Sequence, residues 1–151
     1  MRGIANTFFV CWLFLLTGQC FGAEIDRIDL RLYLNHSGTL SDPIEEHAEL
    51  WNVIIGGGIS EPSSSTLVDV IVSSDPGSYK KNAVVSLVTT NQRTGKVLSR
   101  QLKALGVFSS KGKFHAAFWL PETGCIPLRL VATLRGTAKS KAVILPFECG
   151  E

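Results

Sequence analysis

Short runs of β-branched and aromatic residues, each ended by a turn sequence, recur along the chain and limit what it can fold into. The clearest run covers residues 66–72, and residues 73–77 end it with Asp-Pro-Gly. Apolar and polar side chains that alternate every second residue are typical of strands with one buried face. Further runs of this kind cover residues 26–34, 83–88, 96–102, 113–120, 128–134 and 142–147. The sequence therefore predicts an all-β domain of about seven short antiparallel strands.

The stretch between residues 40 and 60 departs from this pattern. Ser41-Asp42-Pro43 is typical of a helix start, and three glycines at residues 56–58 would end the element. Four apolar residues between them recur on one helical face: Ile44, Ala48, Trp51 and Ile55. This spacing predicts one short helix over residues 43–55, although Val53-Ile54-Ile55 suits a strand equally well.

About seven strands at these spacings predict an antiparallel β-sandwich. The architecture resembles the immunoglobulin-like superfold over roughly residues 26–149, through the number and spacing of its strands alone. The resemblance implies two antiparallel sheets that pack face to face. Antibody-type domains also place a Trp between two cysteines of opposite sheets, and this sequence lacks that pattern.

The N-terminal segment has the composition of an export signal. Arg2 precedes an uncharged apolar run over residues 8–16, which is too short to span about 30 Å of hydrocarbon. Cys20 and Gly22 supply the small residues that signal peptidase requires before Ala23. We therefore expect residues 1–22 to be a signal peptide. Residues 23–151 then form a single exported domain, periplasmic or extracellular, with no membrane insertion after cleavage.

Cys125 and Cys149 are the cysteines that remain after this cleavage. A pair of cysteines in an exported chain is most simply a disulfide, and a hairpin that turns near Thr137 brings the two level. Strict pairing of the apolar faces would set Cys149 beside an even-numbered residue, and a one-residue bulge near Pro127 would resolve this conflict. A thiol carrier or metal site is disfavoured, because the chain has no C-x-x-C and no histidine close to Cys149 in sequence.

The sequence shows no set of catalytic or metal-binding residues. Its histidines, at positions 36, 47 and 115, have no partner at the spacing of metal ligands. The nucleophile motif G-x-S-x-G is absent, and the glycines at 56–58 lack the frame of a phosphate-binding loop. A net charge of +2 does not favour a nucleic-acid partner. We therefore expect no cofactor, no metal and no nucleic acid; a small hydrolase with Glu and His on loops is an alternative that needs a pocket.

Three residues are candidates for a binding surface: Trp51, His115 and Trp119. His115 and Trp119 fall on the side of their strand opposite to the apolar residues Phe114 and Phe118, because neighbours on a strand face opposite ways. An exposed Trp anchors a protein partner or stacks on a sugar ring. Trp51 shares its predicted helical face with apolar residues, which favours a place in the core.

These features favour a non-enzymatic exported β-sandwich that acts through protein–protein contacts, as an accessory subunit, an inhibitor or an adhesion-type domain. The alternative is a small module that binds carbohydrate or another ligand through an exposed Trp. The native mass of the protein separates the two hypotheses, since only the first requires a stable protein complex.

Thiol labelling tests the predicted disulfide. We expect the mature chain to take up no alkylating reagent before reduction and two labels after it, as counted by mass spectrometry under denaturing conditions. A closed loop of about 25 residues corresponds to roughly 3 kcal/mol of stability in the chain-entropy model. Cys125→Ser and Cys149→Ser should each lose about that much, and the double variant no more. Labelling before reduction would contradict the pairing.

Overall fold

The computed structural model describes residues 22–45, 48, 50–51, 61–137 and 139–148. Within these ranges the regular elements are all strands. They are β1 (Glu24–Leu34), β2 (Thr39–Leu40), β3 (Leu50–Trp51), β4 (Ser63–Ser73), β5 (Val84–Asn91), β6 (Val97–Ala104), β7 (Lys113–Pro121), β8 (Leu128–Leu134), β9 (Ser140–Leu145) and β10 (Phe147–Glu148).

Two four-stranded sheets contain most of the described strands. The first sheet has the order β2-β1-β4-β7, and the second has the order β6-β5-β8-β9. Every neighbouring pair in the two sheets is antiparallel. A separate two-stranded ribbon pairs β3 with β10 in parallel. The predicted all-β, sandwich-like fold is confirmed at this level: two antiparallel sheets of four strands.

The inward positions of both sheets form one core. Because side chains alternate across a strand, the inward residues of β4, β5, β7 and β8 are mostly buried and apolar. These residues include Val68, Val70 and Val72 of β4, Ala116, Phe118 and Leu120 of β7, Val85 and Leu87 of β5, and Leu128, Leu130, Ala132 and Leu134 of β8. Each fully buried Val, Leu or Phe contributes about 1.5–3 kcal/mol, so this shared core fixes which face of each strand points outward.

The β8–β9 hairpin agrees with the predicted faces, but its end differs from the prediction. Leu128 pairs with Leu145 without any register shift along the ladder. The pairing stops there, because Pro146 has no amide proton to donate and the chain then leaves to form β10. The bulge predicted near Pro127 therefore does not form within the ladder. Cys125 follows β7 and has at least one interaction partner. Cys149 lies outside the described residues, so the disulfide between the two stays a prediction.

The helix predicted over residues 43–55 is wrong for the described part of that segment. The amide of Ile44 donates to the carbonyl of Leu30 at 2.8 Å, which places this stretch beside β1. Farther along, Leu50–Trp51 forms β3. Ile44 and Ala48 are partly buried against the core, which accounts for their apolar character without a helix. Residues 46, 47, 49 and 52–60, which include Ile55, lie outside the described residues.

Gly112 occupies a position where the backbone requires glycine. Its φ is +68°, and a Cβ there would overlap the carbonyl oxygen of Ser74. We expect Gly112→Ala to lower the free energy of unfolding by more than about 2 kcal/mol, since the clash adds to the left-handed penalty of roughly 1–2 kcal/mol. Gly95→Ala is the matched control, because its φ is +72° and nothing lies within 4 Å of the added methyl group. Equal losses in chemical denaturation would contradict the close approach at Gly112.

Candidate functional site

The outward side of β1, β4 and β7 carries two of the predicted binding residues, His115 and Trp119. Both are exposed, whereas the alternate residues of β7 face the core, so the predicted faces of this strand are confirmed. The registers of the three strands align their outward side chains in rows. The rows are Arg27–Ile71–His115, Asp29–Asp69–Ala117, Arg31–Leu67–Trp119 and Tyr33–Ser65–Pro121. We call this surface the first-sheet face.

Trp119 is held in place on the first-sheet face and yet remains accessible. Its ring meets that of Tyr33 edge to face across β4, with ring centroids 5.6 Å apart and an angle of 69° between the planes. Its backbone carbonyl accepts a hydrogen bond from Nε2 of Gln101 at 3.0 Å. The side chain is nevertheless 45% exposed. An aromatic pair of this geometry contributes about 0.5–1.5 kcal/mol beyond its buried area, so the indole is fixed before any partner arrives.

His115 belongs to a network of ionisable groups on the same face. Its Nδ1 lies 2.7 Å from Oδ2 of Asp69. Asp69 stands directly opposite Asp29 of β1, and like charges in that position repel. The Nε of Arg27 donates to both oxygens of Asp29, at 3.0 and 3.1 Å. Each carboxylate therefore has a basic group of its own, and the imidazole is anchored by Asp69.

A second polar cluster lies at the end of the same face. Nζ of Lys113 donates to Oδ2 of Asp26 and to Oγ of Ser73, both at 2.8 Å. The hydrogen bond from Lys113 is the main cause that holds the pKa of the Asp26 carboxyl below its ordinary value, and the charges of Lys113, Arg27 and Lys141 add to it. An ammonium group in an ion pair has no lone pair to accept a proton, so this contact does not make Ser73 a nucleophile.

The structure brings His115 and Trp119 together but does not bring Trp51 to them. Trp51 lies in β3, which pairs with β10 outside the two large sheets, and its side chain lies outside the described residues. Sequence reasoning missed Arg31, Tyr33 and Asp69 as companions of Trp119 and His115. Their only signal is their place on alternate positions of strands far apart in the chain. That signal becomes useful only when the strand register is known.

The second sheet presents an outward side of different chemistry. Its four strands contain no Asp or Glu. Arg100 and Arg129 stand on alternate positions that face away from the core, together with the exposed Leu102 and Ile144. A net charge of +2 conceals this arrangement, because 10 of the 13 acidic residues come before residue 77 and 12 of the 15 basic residues come after it.

The first-sheet face displays residue types that are common in protein-binding surfaces. No set of three or more His, Cys, Asp or Glu among the described residues is placed to hold a metal ion. The first-sheet face instead combines an indole, a phenol and a guanidinium with an imidazole–carboxylate pair. In the described part of the chain, no helix has the length and apolar character needed to cross a membrane.

The Asp26–Lys113 contact predicts a component of acid sensitivity. Because the contact lowers the pKa of Asp26 in the folded state, its stabilisation is present at neutral pH and is lost as the pH falls through that folded pKa. The pair is solvent-exposed, so we expect about 0.2–1 kcal/mol. The free energy of unfolding of Asp26→Asn should lie below that of the wild type at pH 7 and converge with it in acid. Asp42→Asn is the control, since Asp42 forms no ion pair among the described residues, and a gap that stays constant with pH would contradict this account.

Comparison with known proteins does not assign a family to the chain. No protein-family model matches the chain, and neither a curated protein nor a solved structure matches it.

Proposed function

We propose that the protein is a non-enzymatic exported domain that acts through protein–protein contacts and has an immunoglobulin-like arrangement of strands. The strand order supports the fold. The neighbours β1-β4-β7 and β6-β5-β8-β9 follow the A-B-E and C′-C-F-G orders of immunoglobulin-like domains. A rigid sandwich of this kind supplies a scaffold, and the function depends on what its surfaces display.

The observation that carries this proposal is the accessible, pre-ordered indole of Trp119. Arg31 and Leu67 share its row across the sheet, and Tyr33 packs against its ring. Trp, Tyr and Arg are the residue types that most often dominate the energy of protein interfaces. Because Tyr33 already fixes the indole, binding costs less side-chain entropy than it would for a free rotor.

The partner that fits the first-sheet face is a protein with an apolar socket for the indole and a carboxylate beside it. Leu67 lies between Trp119 and Arg31, so the apolar part of the partner would contact Trp119 and Leu67, and its carboxylate would contact the guanidinium of Arg31. The His115–Asp69 pair lies farther along the face and supplies a polar rim. An apolar centre with a polar rim is the usual anatomy of a specific protein interface.

Truncation of Trp119 tests the proposal directly. We expect the tagged wild-type protein from its own host's exported fraction to migrate well above the mass of one chain, by gel filtration with light scattering. Trp119→Ala should elute as a single chain, because loss of a central anchor weakens binding by about 2 kcal/mol or more, roughly 30-fold.

Leu102→Ala is the matched control for this experiment. Leu102 is a large exposed apolar residue on the second sheet, so its truncation should leave the native mass unchanged. Thermal unfolding of both variants checks that they remain folded. A wild type that elutes as one chain would overturn the proposal. A monomer whose Trp fluorescence shifts on titration with glycans would support the carbohydrate alternative instead.

A further inference from the structure

A cleft at one end of the core, next to the Pro121 end of the first-sheet face, has the features of a small-molecule site. It lies where the β5–β6 hairpin, the end of β7 and the turn before β8 meet, and its volume is about 360 Å³. A dry protein cavity of roughly 150 Å³ accommodates benzene, so this cleft has room for a body of about two fused rings. Volumes of this order are typical of ligand pockets.

Two buried hydroxyl groups line the cleft without hydrogen-bond partners. They belong to Thr89, which is only 3% exposed, and to Ser99. The two residues are directly opposite each other on β5 and β6, so they belong to the same wall of the cleft. A buried hydroxyl that lacks a partner is costly, and native proteins leave few of them.

A neighbouring pair of buried hydroxyl groups is paired by a hydrogen bond, as expected for groups with a structural role. Thr66 and Thr123 are both buried, and their Oγ1 atoms form a hydrogen bond of 2.7 Å. Thr123 also lines the cleft. Asp69 and Ser74 also carry a buried oxygen without a partner, but among the described residues that line the cleft such groups occur only at Thr89 and Ser99, on the β5–β6 wall.

Backbone irregularities flank the mouth of the cleft on two sides. The register of β5 and β6 shifts between Thr89 and Thr90, which leaves Leu98 as an extra residue at the edge. On the other side, Glu122 adopts a φ of +56°, a conformation that costs a non-glycine residue free energy and often occurs at ligand sites. The Gln101–Trp119 hydrogen bond joins the two strand edges beside the mouth.

The lining selects the class of ligand. The walls are apolar and come from Leu98, Leu120, Ile126 and Leu128. Glu122 is the one charged residue among the described residues that line the cleft, and a carboxylate there disfavours an anionic head. We infer that the cleft binds a small uncharged amphiphile, with an aromatic or aliphatic body against these walls and a hydroxyl head that bonds to Thr89 and Ser99.

Three probes of one shape test this site: 2-naphthol, 2-methylnaphthalene and 2-naphthoate. They are titrated into the ¹⁵N-labelled mature chain at pH 7, and amide shifts of residues 89, 99 and 123 are followed by NMR. We expect saturable shifts with 2-naphthol, about tenfold weaker binding of 2-methylnaphthalene, which lacks the hydroxyl, and the weakest binding for the anionic 2-naphthoate.

Thr89→Val separates a ligand role from a structural one. Val keeps the shape of Thr and removes an unpartnered hydroxyl, so the melting temperature should stay the same or rise. The preference for 2-naphthol over 2-methylnaphthalene should be lost. Thr137→Val is the matched control: it removes a hydroxyl that donates to the carbonyl of Leu134 at the β8–β9 turn, away from the cleft, so it should lower the melting temperature and leave the preference intact.

A steric variant checks the location of the site. Ser99→Leu extends an apolar side chain into the cleft and should abolish the shifts from all three probes, while a dispersed amide spectrum shows that the chain is folded. The inference is overturned if the wild type shows no saturable shifts, if 2-naphthol and 2-methylnaphthalene bind equally, or if Thr89→Val keeps the preference. Neither the site nor these probes involve Trp119 truncation, so failure here is distinct from failure of the proposed protein-binding function.

Discussion

The placement of β4 between β1 and β7 is the constraint on which the rest of the structure depends. β4 is paired along its length on both sides, and its inward valines are completely buried. A slip of one residue would move these valines to the solvent side and bring Asp69 into the core. The same register that protects the core therefore sets Asp69 beside His115 and brings the rings of Tyr33 and Trp119 together across Leu67.

Much of the architecture could be predicted from the sequence, because it follows from local patterns. Alternation alone located the seven main strands, and it assigned His115 and Trp119 to the outward side of β7. The short strands β2, β3 and β10 were not predicted, because a strand of two residues is too short to show the alternation of apolar and polar side chains. The helix prediction for residues 43–55 failed because apolar residues three or four apart suit a helix but do not require one. The amide of Ile44 bonds to β1 instead.

The candidate sites could be predicted only in part, because they depend on contacts between distant segments. Trp119 and His115 attract attention as single residues, whereas Tyr33 and Asp69 gain meaning from strand pairing across the sheet. The cleft left no trace in the sequence at all. Its two hydroxyls belong to an ordinary Thr and an ordinary Ser, and only the three-dimensional count of hydrogen bonds distinguishes them from Thr66 and Thr123.

The absence of acidic residues from β5, β6, β8 and β9 gives the molecule an electric dipole across its two sheets. The strands of the first sheet carry four acidic residues (Glu24, Asp26, Asp29 and Asp69) against three basic ones (Arg27, Arg31 and Lys113), a balance of −1. The second sheet carries Arg100, Lys103, Arg129 and Lys141 with no acidic residue, a balance of +4. In the field of an anionic surface, such as a charged envelope or an acidic matrix, the domain would turn its second sheet inward. Its first-sheet face would then point outward, and salt at concentrations that shorten the Debye length would remove this orientation.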